Sequence, residues 1–91
     1  MKQFFTASLV REGILGGAII ADDEAITYKT GKVTVSPALK NIEMKYSNIK
    51  SWSKKWVILP VFSIFMKDGE CYKFIIFNPV RFDKLLSEKL M

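Results

Sequence analysis

Residues 56–77, WVILPVFSIFMKDGECYKFIIF, consist of two apolar runs separated by a short polar segment. Asp68-Gly69 suits a tight two-residue turn, because glycine readily adopts the positive φ that such turns require. The segment therefore predicts a β-hairpin with these cross-strand pairs: Lys67 with Glu70, Phe65 with Tyr72, and Phe62 with Ile75.

Both faces of this predicted hairpin are apolar. Alternation along the strands assigns one set of side chains to the inner face: Val57, Leu59, Val61, Phe65, Tyr72, Phe74 and Ile76. An exposed face of an antiparallel sheet is ordinarily polar, and one helix covers at most one face. The opposite set therefore predicts a protein-binding surface, most simply for self-association, with these candidate interface residues: Ile58, Phe62, Ile64, Ile75 and Phe77.

Two alternatives to that surface stay open. Bending of the sheet, or the N-terminal strand FFTASLV, would cover the second face and make it part of the core. A slip of one residue in the pairing would exchange the two faces while leaving both apolar.

The rest of the chain follows the strand period until its last segment. Apolar residues alternate with polar ones in AITYK, KVTV and NIEMKY, and turn residues separate these runs. From Pro79 onward the spacing changes to three and four, which predicts a helix over residues 79–90 that buries Phe82, Leu85 and Leu86. The sequence thus predicts a mainly β fold, with about seven bent antiparallel strands capped by one C-terminal helix, as a single domain over residues 1–91.

Composition argues against catalysis and metal binding. The chain has one cysteine and no histidine among 91 residues, so it lacks an internal disulfide and the most common acid–base and metal-ligating side chain. Asp22, Asp23 and Glu24 fall on a predicted turn, and Cys71 lies in a strand without a basic partner. We expect no enzymatic activity, no cofactor and no metal. A small domain without paired cysteines favours the cytoplasm.

The segment SWSKKW, residues 51–56, combines lysines with two indoles. The middle third of the chain, residues 31–60, holds six lysines against one glutamate and so carries the net charge of +5. Trp52 reaches the core only if a bulge interrupts the strand near Lys50-Ser51. The alternative function is therefore weak peripheral contact with an anionic membrane surface through four residues: Lys50, Lys54, Lys55 and Trp56.

Several segments together resemble the GRAM and bacterial pleckstrin-homology-like domains, over roughly residues 13–90. They are GAIIADDEAITYK, with Gly17, Ile19, Asp22-Asp23, Ile26 and Tyr28; YSNIKSW, with Ile49 and Trp52; GECYKF, with Tyr72 and Phe74; and the terminal helix. The resemblance implies a bent seven-stranded sheet plugged by the helix. It also implies a non-catalytic docking module for phosphoinositides, proteins or oligomer partners.

The basic loop of phosphoinositide-binding members is not matched here. The corresponding stretch is REG, in which Glu12 offsets Arg11, so converging cations for a phosphate are missing. A nucleic-acid-binding small barrel is a further alternative, since basic charge, strands and aromatic residues also describe such domains. Most aromatic residues of this chain lie in apolar runs, which disfavours that function.

Overall fold

The computed structural model describes residues 2–11, 13–31, 41–56 and 58–90. Seven strands, β1 to β7, span Gln3–Val10, Ile14–Ala21, Ala25–Lys29, Asn41–Lys45, Ile49–Trp56, Pro60–Met66 and Cys71–Ile76, and helix α1 spans Pro79–Leu90. The strands form one antiparallel sheet in the order β4-β3-β2-β1-β7-β6-β5, which curls into a half-barrel. The predicted mainly β fold with one C-terminal helix is confirmed. The predicted strand at residues 32–35 and the side chain of Val57 lie outside the described residues.

Helix α1 covers the inner face of the sheet with the predicted apolar stripe. Phe82 and Leu86 are fully buried, and Leu85 is nearly so. The Phe82 ring packs edge-on against two strands, with its centroid 5.0 Å from that of Phe5 in β1 and 4.9 Å from that of Phe62 in β6. These contacts join the two halves of the sheet through the helix.

A bulge interrupts the pairing of β5 at the position that the sequence required for a core tryptophan. Ile49 pairs with Met66, and Ser51 pairs with Phe65, so Lys50 is the extra residue. The shift returns Trp52 to the inner side opposite Ile64, where it packs half-buried against the core. The predicted bulge at Lys50-Ser51 is confirmed.

The turn between β6 and β7 is one residue longer than predicted. The Met66 N–H donates to the Glu70 carbonyl at 2.8 Å, which closes a three-residue loop, and Gly69 has a φ of 96°. Three-residue loops of this kind place a glycine in the left-handed region after the turn. Phe65 consequently pairs with Cys71 and not with Tyr72, a shift of one residue from the predicted register.

The changed register corrects the predicted interface. Phe62 and Ile64 belong to the inner face and are 0% exposed, whereas Phe65, predicted inside, is exposed on the outer face. Ile75 points outward, but it is only 7% exposed. These three predicted interface residues, Phe62, Ile64 and Ile75, are therefore buried in the monomer. Of the predicted interface, Ile58 and Phe77 remain on the surface.

Candidate functional site

Exposed apolar side chains collect where β5 ends, β6 begins and β7 runs into the helix. Trp56 pairs with Pro60 across the β5–β6 hairpin, and Val61 pairs with Ile75 in β7. Beyond β7, the Phe77 N–H donates to the Thr6 carbonyl of β1 at 3.0 Å. We call this region the apolar end, and it comprises six exposed residues: Phe4, Trp56, Ile58, Leu59, Phe77 and Val80.

The β5–β6 connection forms the most exposed part of the apolar end. Ile58 is 90% exposed, Trp56 is 61% exposed and Leu59 is 44% exposed. Pro60, the first residue of β6, is buried and marks where the core begins. Single exposed apolar residues are common on protein surfaces, but an adjacent group of large ones marks an interaction site.

Lysines flank this connection on both faces of β5. Lys55 pairs with the half-buried Val61, and it extends from the outer face of the sheet. Lys54 pairs with the fully buried Phe62, so it extends from the opposite side, toward the helix. Its Nζ atom lies 3.2 Å from Oδ2 of Asp83 in α1.

Three of the four residues predicted to contact an anionic surface lie at the end of β5, with Lys54 and Lys55 on opposite faces of the sheet. Lys54, Lys55 and Trp56 are consecutive at the apolar end, and all three are exposed. Lys50 is exposed at the bulge near the other end of β5. At about 3.3 Å per residue, its backbone lies roughly 13 Å from that of Lys54. Lys50 is therefore separate from the cluster.

Arg81 is a component of the apolar end that sequence reasoning missed. Its guanidinium donates a 2.7 Å hydrogen bond to the Phe4 carbonyl and lies 4.5 Å from the centroid of the Phe5 ring. These contacts fix a cation beside the start of the helix and join the helix to β1. The available sequence signal was a basic residue two positions after Pro79, but only the long-range pairing of β1 with β7 places it beside Phe4.

Charges of opposite sign line one cleft of the described residues. A cleft of about 410 Å³ on the outer side of β2–β4 contains Lys2 and Lys29 together with Asp22 and Glu43. Within these same residues, no three His, Cys, Asp or Glu side chains are grouped to hold a metal ion. No helix in the described part of the chain is long and apolar enough to cross a bilayer.

Comparison with known proteins supports the fold alone. The chain matches no protein-family model and no curated protein. It is similar to the crystal structure of the C-terminal domain of an unknown protein from Leishmania infantum, with a TM-score of 0.77 and 10% sequence identity. The match covers 98% of this chain and 83% of that one. The architecture of seven antiparallel strands and a C-terminal helix is thus shared with a solved structure.

Proposed function

We propose that this domain is a non-catalytic module that docks reversibly on anionic membrane surfaces through its apolar end. The observation that carries the proposal is the exposure of Trp56, Ile58 and Leu59 directly beside Lys54 and Lys55. We call these three exposed residues of the β5–β6 connection, Trp56, Ile58 and Leu59, the tip. Their apolar side chains lose contact with water when they enter the interfacial region of a bilayer. Lysines beside them remain near the headgroups.

The chemistry of these side chains fits an interface between water and lipid. An indole prefers the headgroup level, where its ring is in a less polar medium and its N–H keeps a polar partner. Full burial of a large aliphatic side chain contributes about 1.5–3 kcal/mol, and each lysine near an anionic surface contributes about 1 kcal/mol. Few such side chains are available here, which supports reversible, salt-sensitive peripheral binding.

Self-association through the same apolar end is the second candidate. Phe77 and Ile58, which remain exposed from the predicted interface, would contribute to it. A two-fold contact joins identical patches, so a contact centred on the end of β5 would bring Lys55 of one copy near Lys55 of the other. Like charges at such a contact repel each other, whereas an anionic surface attracts them. Electrostatic interactions therefore favour docking on an anionic membrane over self-association.

Flotation with lipid vesicles tests the proposal. We expect recovery with vesicles that contain phosphatidylserine, weaker recovery with pure phosphatidylcholine, and a loss of the difference at high salt. An Ile58→Ser/Leu59→Ser variant should lose most of its binding. Ile14→Ser is the matched control, because Ile14 is 69% exposed at the start of β2, away from the apolar end.

Two results would overturn the proposal. One is absent binding, or equal recovery on both kinds of vesicle at low salt. The other is a tip variant that binds like the Ile14→Ser control. Size-exclusion chromatography with light scattering on the same samples would show a concentration-dependent dimer if the apolar end binds a second copy.

A further inference from the structure

The geometry points to Asp83 as the residue that limits affinity for anionic surfaces, by neutralising Lys54 beside the exposed hairpin tip. This inference rests on the proposed function and assigns different roles to two adjacent lysines. Lys55 supplies attraction to anionic lipid, whereas Lys54 and Asp83 act together as a neutral pair.

Strand alternation is the first observation that separates the two lysines. Lys55 lies opposite Val61 on the outer face, and the described contacts of Lys55 include no carboxylate. Lys54 lies opposite Phe62, on the side of the sheet that α1 covers. Consecutive residues of one strand therefore present their ammonium groups to different surroundings.

The ion pair between β5 and α1 is the second observation. Lys54 Nζ lies 3.2 Å from Asp83 Oδ2, within hydrogen-bond distance. The two side chains retain 33% and 38% of their exposure, so neither charge is removed from solvent. A pair this close has almost no net charge when seen from beyond a screening length of about 8 Å at physiological salt.

The ion pair lies close to apolar side chains that would contact the membrane. Lys54 is two residues before Trp56, and Asp83 is one helical turn after the exposed Val80. Any surface that receives Trp56 and Val80 also approaches this carboxylate. Asp83 therefore offsets the attraction that Lys54 would otherwise add to that of Lys55.

Substitution of Asp83 by asparagine tests the inference. We expect Asp83→Asn to bind phosphatidylserine-containing vesicles about fivefold more tightly, with a steeper salt dependence, since one additional lysine charge becomes effective. Partition onto pure phosphatidylcholine should stay unchanged. The double variant Lys54→Ala/Asp83→Asn should bind like the wild type, whereas Lys55→Ala should bind about fivefold more weakly.

A matched control separates the local effect from that of total charge. Asp68→Asn makes the same change in net charge at the far end of β6 and retains the oxygen that accepts the Glu70 N–H at 2.9 Å. It should change binding less than twofold. If Asp68→Asn raises affinity as much as Asp83→Asn, net charge and not the pair is responsible, and the inference is wrong.

The remaining outcomes distinguish this inference from the proposed function. If Asp83→Asn weakens binding to both kinds of vesicle, Asp83 positions the tip and does not limit its charge. If the wild type binds and Asp83→Asn binds equally, the inference alone fails. If neither protein binds anionic vesicles, both the inference and the proposed function fail.

Discussion

The two ends of strand β6 differ in chemistry although both reverse the chain into a neighbouring strand. At the end toward β7 the connection is Lys67-Asp68-Gly69, and the Asp68 carboxylate accepts the Glu70 N–H at 2.9 Å. At the end toward β5 the described residues of the connection are Ile58 and Leu59, both exposed. Within the polar turn the Gly69 and Glu70 N–H groups find local acceptors, whereas the side chains of Ile58 and Leu59 lie in water.

Folding therefore does not require large apolar residues at the β5–β6 connection. A chain reversal needs suitable backbone geometry, which small and polar residues supply. Large aliphatic side chains at 90% and 44% exposure add little to the core of the free protein. These side chains contribute to the free energy of binding when a membrane or another protein covers them. We therefore expect substitutions at the polar turn to alter stability and substitutions at the tip to alter binding.

The largest expected effect on stability comes from a comparison of two apolar residues of the same helix. Leu86 is fully buried and Val80 is 77% exposed. Leu86→Ala should lower the free energy of unfolding by about 2–5 kcal/mol, because it removes a buried side chain and leaves a cavity. Val80→Ala should change it by less than about 0.5 kcal/mol. Urea unfolding followed by circular dichroism measures both, and equal losses would mean that the apolar end is part of the core.

A second pair of variants compares a packed glycine with an open one. A Cβ added to Gly17 would meet the Lys29 carbonyl oxygen and would lie 2.9 Å from the Tyr28 hydroxyl oxygen, whereas one at Gly16 meets nothing within 4 Å. Overpacking of this kind costs about 1–3 kcal/mol. Thermal unfolding should show a clear loss for Gly17→Ala and little for Gly16→Ala. A small effect at Gly17 would show that β2 and β3 can separate at this point.

The third test compares the two ends of β6 directly. Gly69 has a φ of 96°, so Gly69→Ala should cost about 1 kcal/mol or more through backbone strain. Ile58→Ser should change stability by less than about 0.5 kcal/mol and should weaken vesicle binding. Chemical denaturation paired with vesicle flotation gives both readouts. A large loss of stability in Ile58→Ser would show that the tip packs against the domain.

The last comparison concerns the other end of the helix, where polar contacts replace apolar exposure. Lys89 Nζ lies 3.5 Å from Asp23 Oδ1, and the Tyr46 hydroxyl donates to the Asp22 carbonyl at 3.0 Å. Burial, with repulsion from Asp22 and Asp23, raises the pKa of Tyr46 to about 12.

Because an unfolded tyrosine ionises near pH 10, this contribution to stability is complete below pH 10. It is then lost as the pH rises through about 12. Between pH 9 and 12 the urea midpoint of the wild type should therefore fall more steeply than that of Tyr46→Phe, so that the two midpoints converge as the pH rises. Equal slopes would contradict the raised pKa.

The sequence predicted an element correctly where only one geometry could bury the apolar residues of that element. From Phe82 onward the helix at residues 79–90 repeats its apolar residues at the helical spacing, so its bounds and its buried side chains Phe82, Leu85 and Leu86 agree with the prediction. The bulge before Trp52 was also predictable, because strict alternation could not bury both Ile49 and Trp52. In both cases burial of one face selects one geometry.

The last hairpin was not predictable to the residue, for a physical reason. Both faces of β6 and β7 are apolar, so burial could not choose between registers that differ by one residue. The choice was made by the turn, where Gly69 follows Asp68 in a three-residue loop. The apolar end was missed as a cluster because it depends on long-range pairing. The pairing of β1 with β7 places Phe4 and Arg81 at the same end of the sheet as Phe77.

The fluorescence emission of Trp56 shows directly whether the apolar end enters the membrane. A Trp52→Phe variant leaves Trp56 as the single indole, 61% exposed in the free protein. On vesicles that contain phosphatidylserine, we predict a blue shift of its emission and quenching by lipids with brominated acyl chains, both weakened by high salt. If the protein floats with the vesicles while its emission stays that of a water-exposed indole, without quenching, the apolar end does not enter the membrane and the account is wrong.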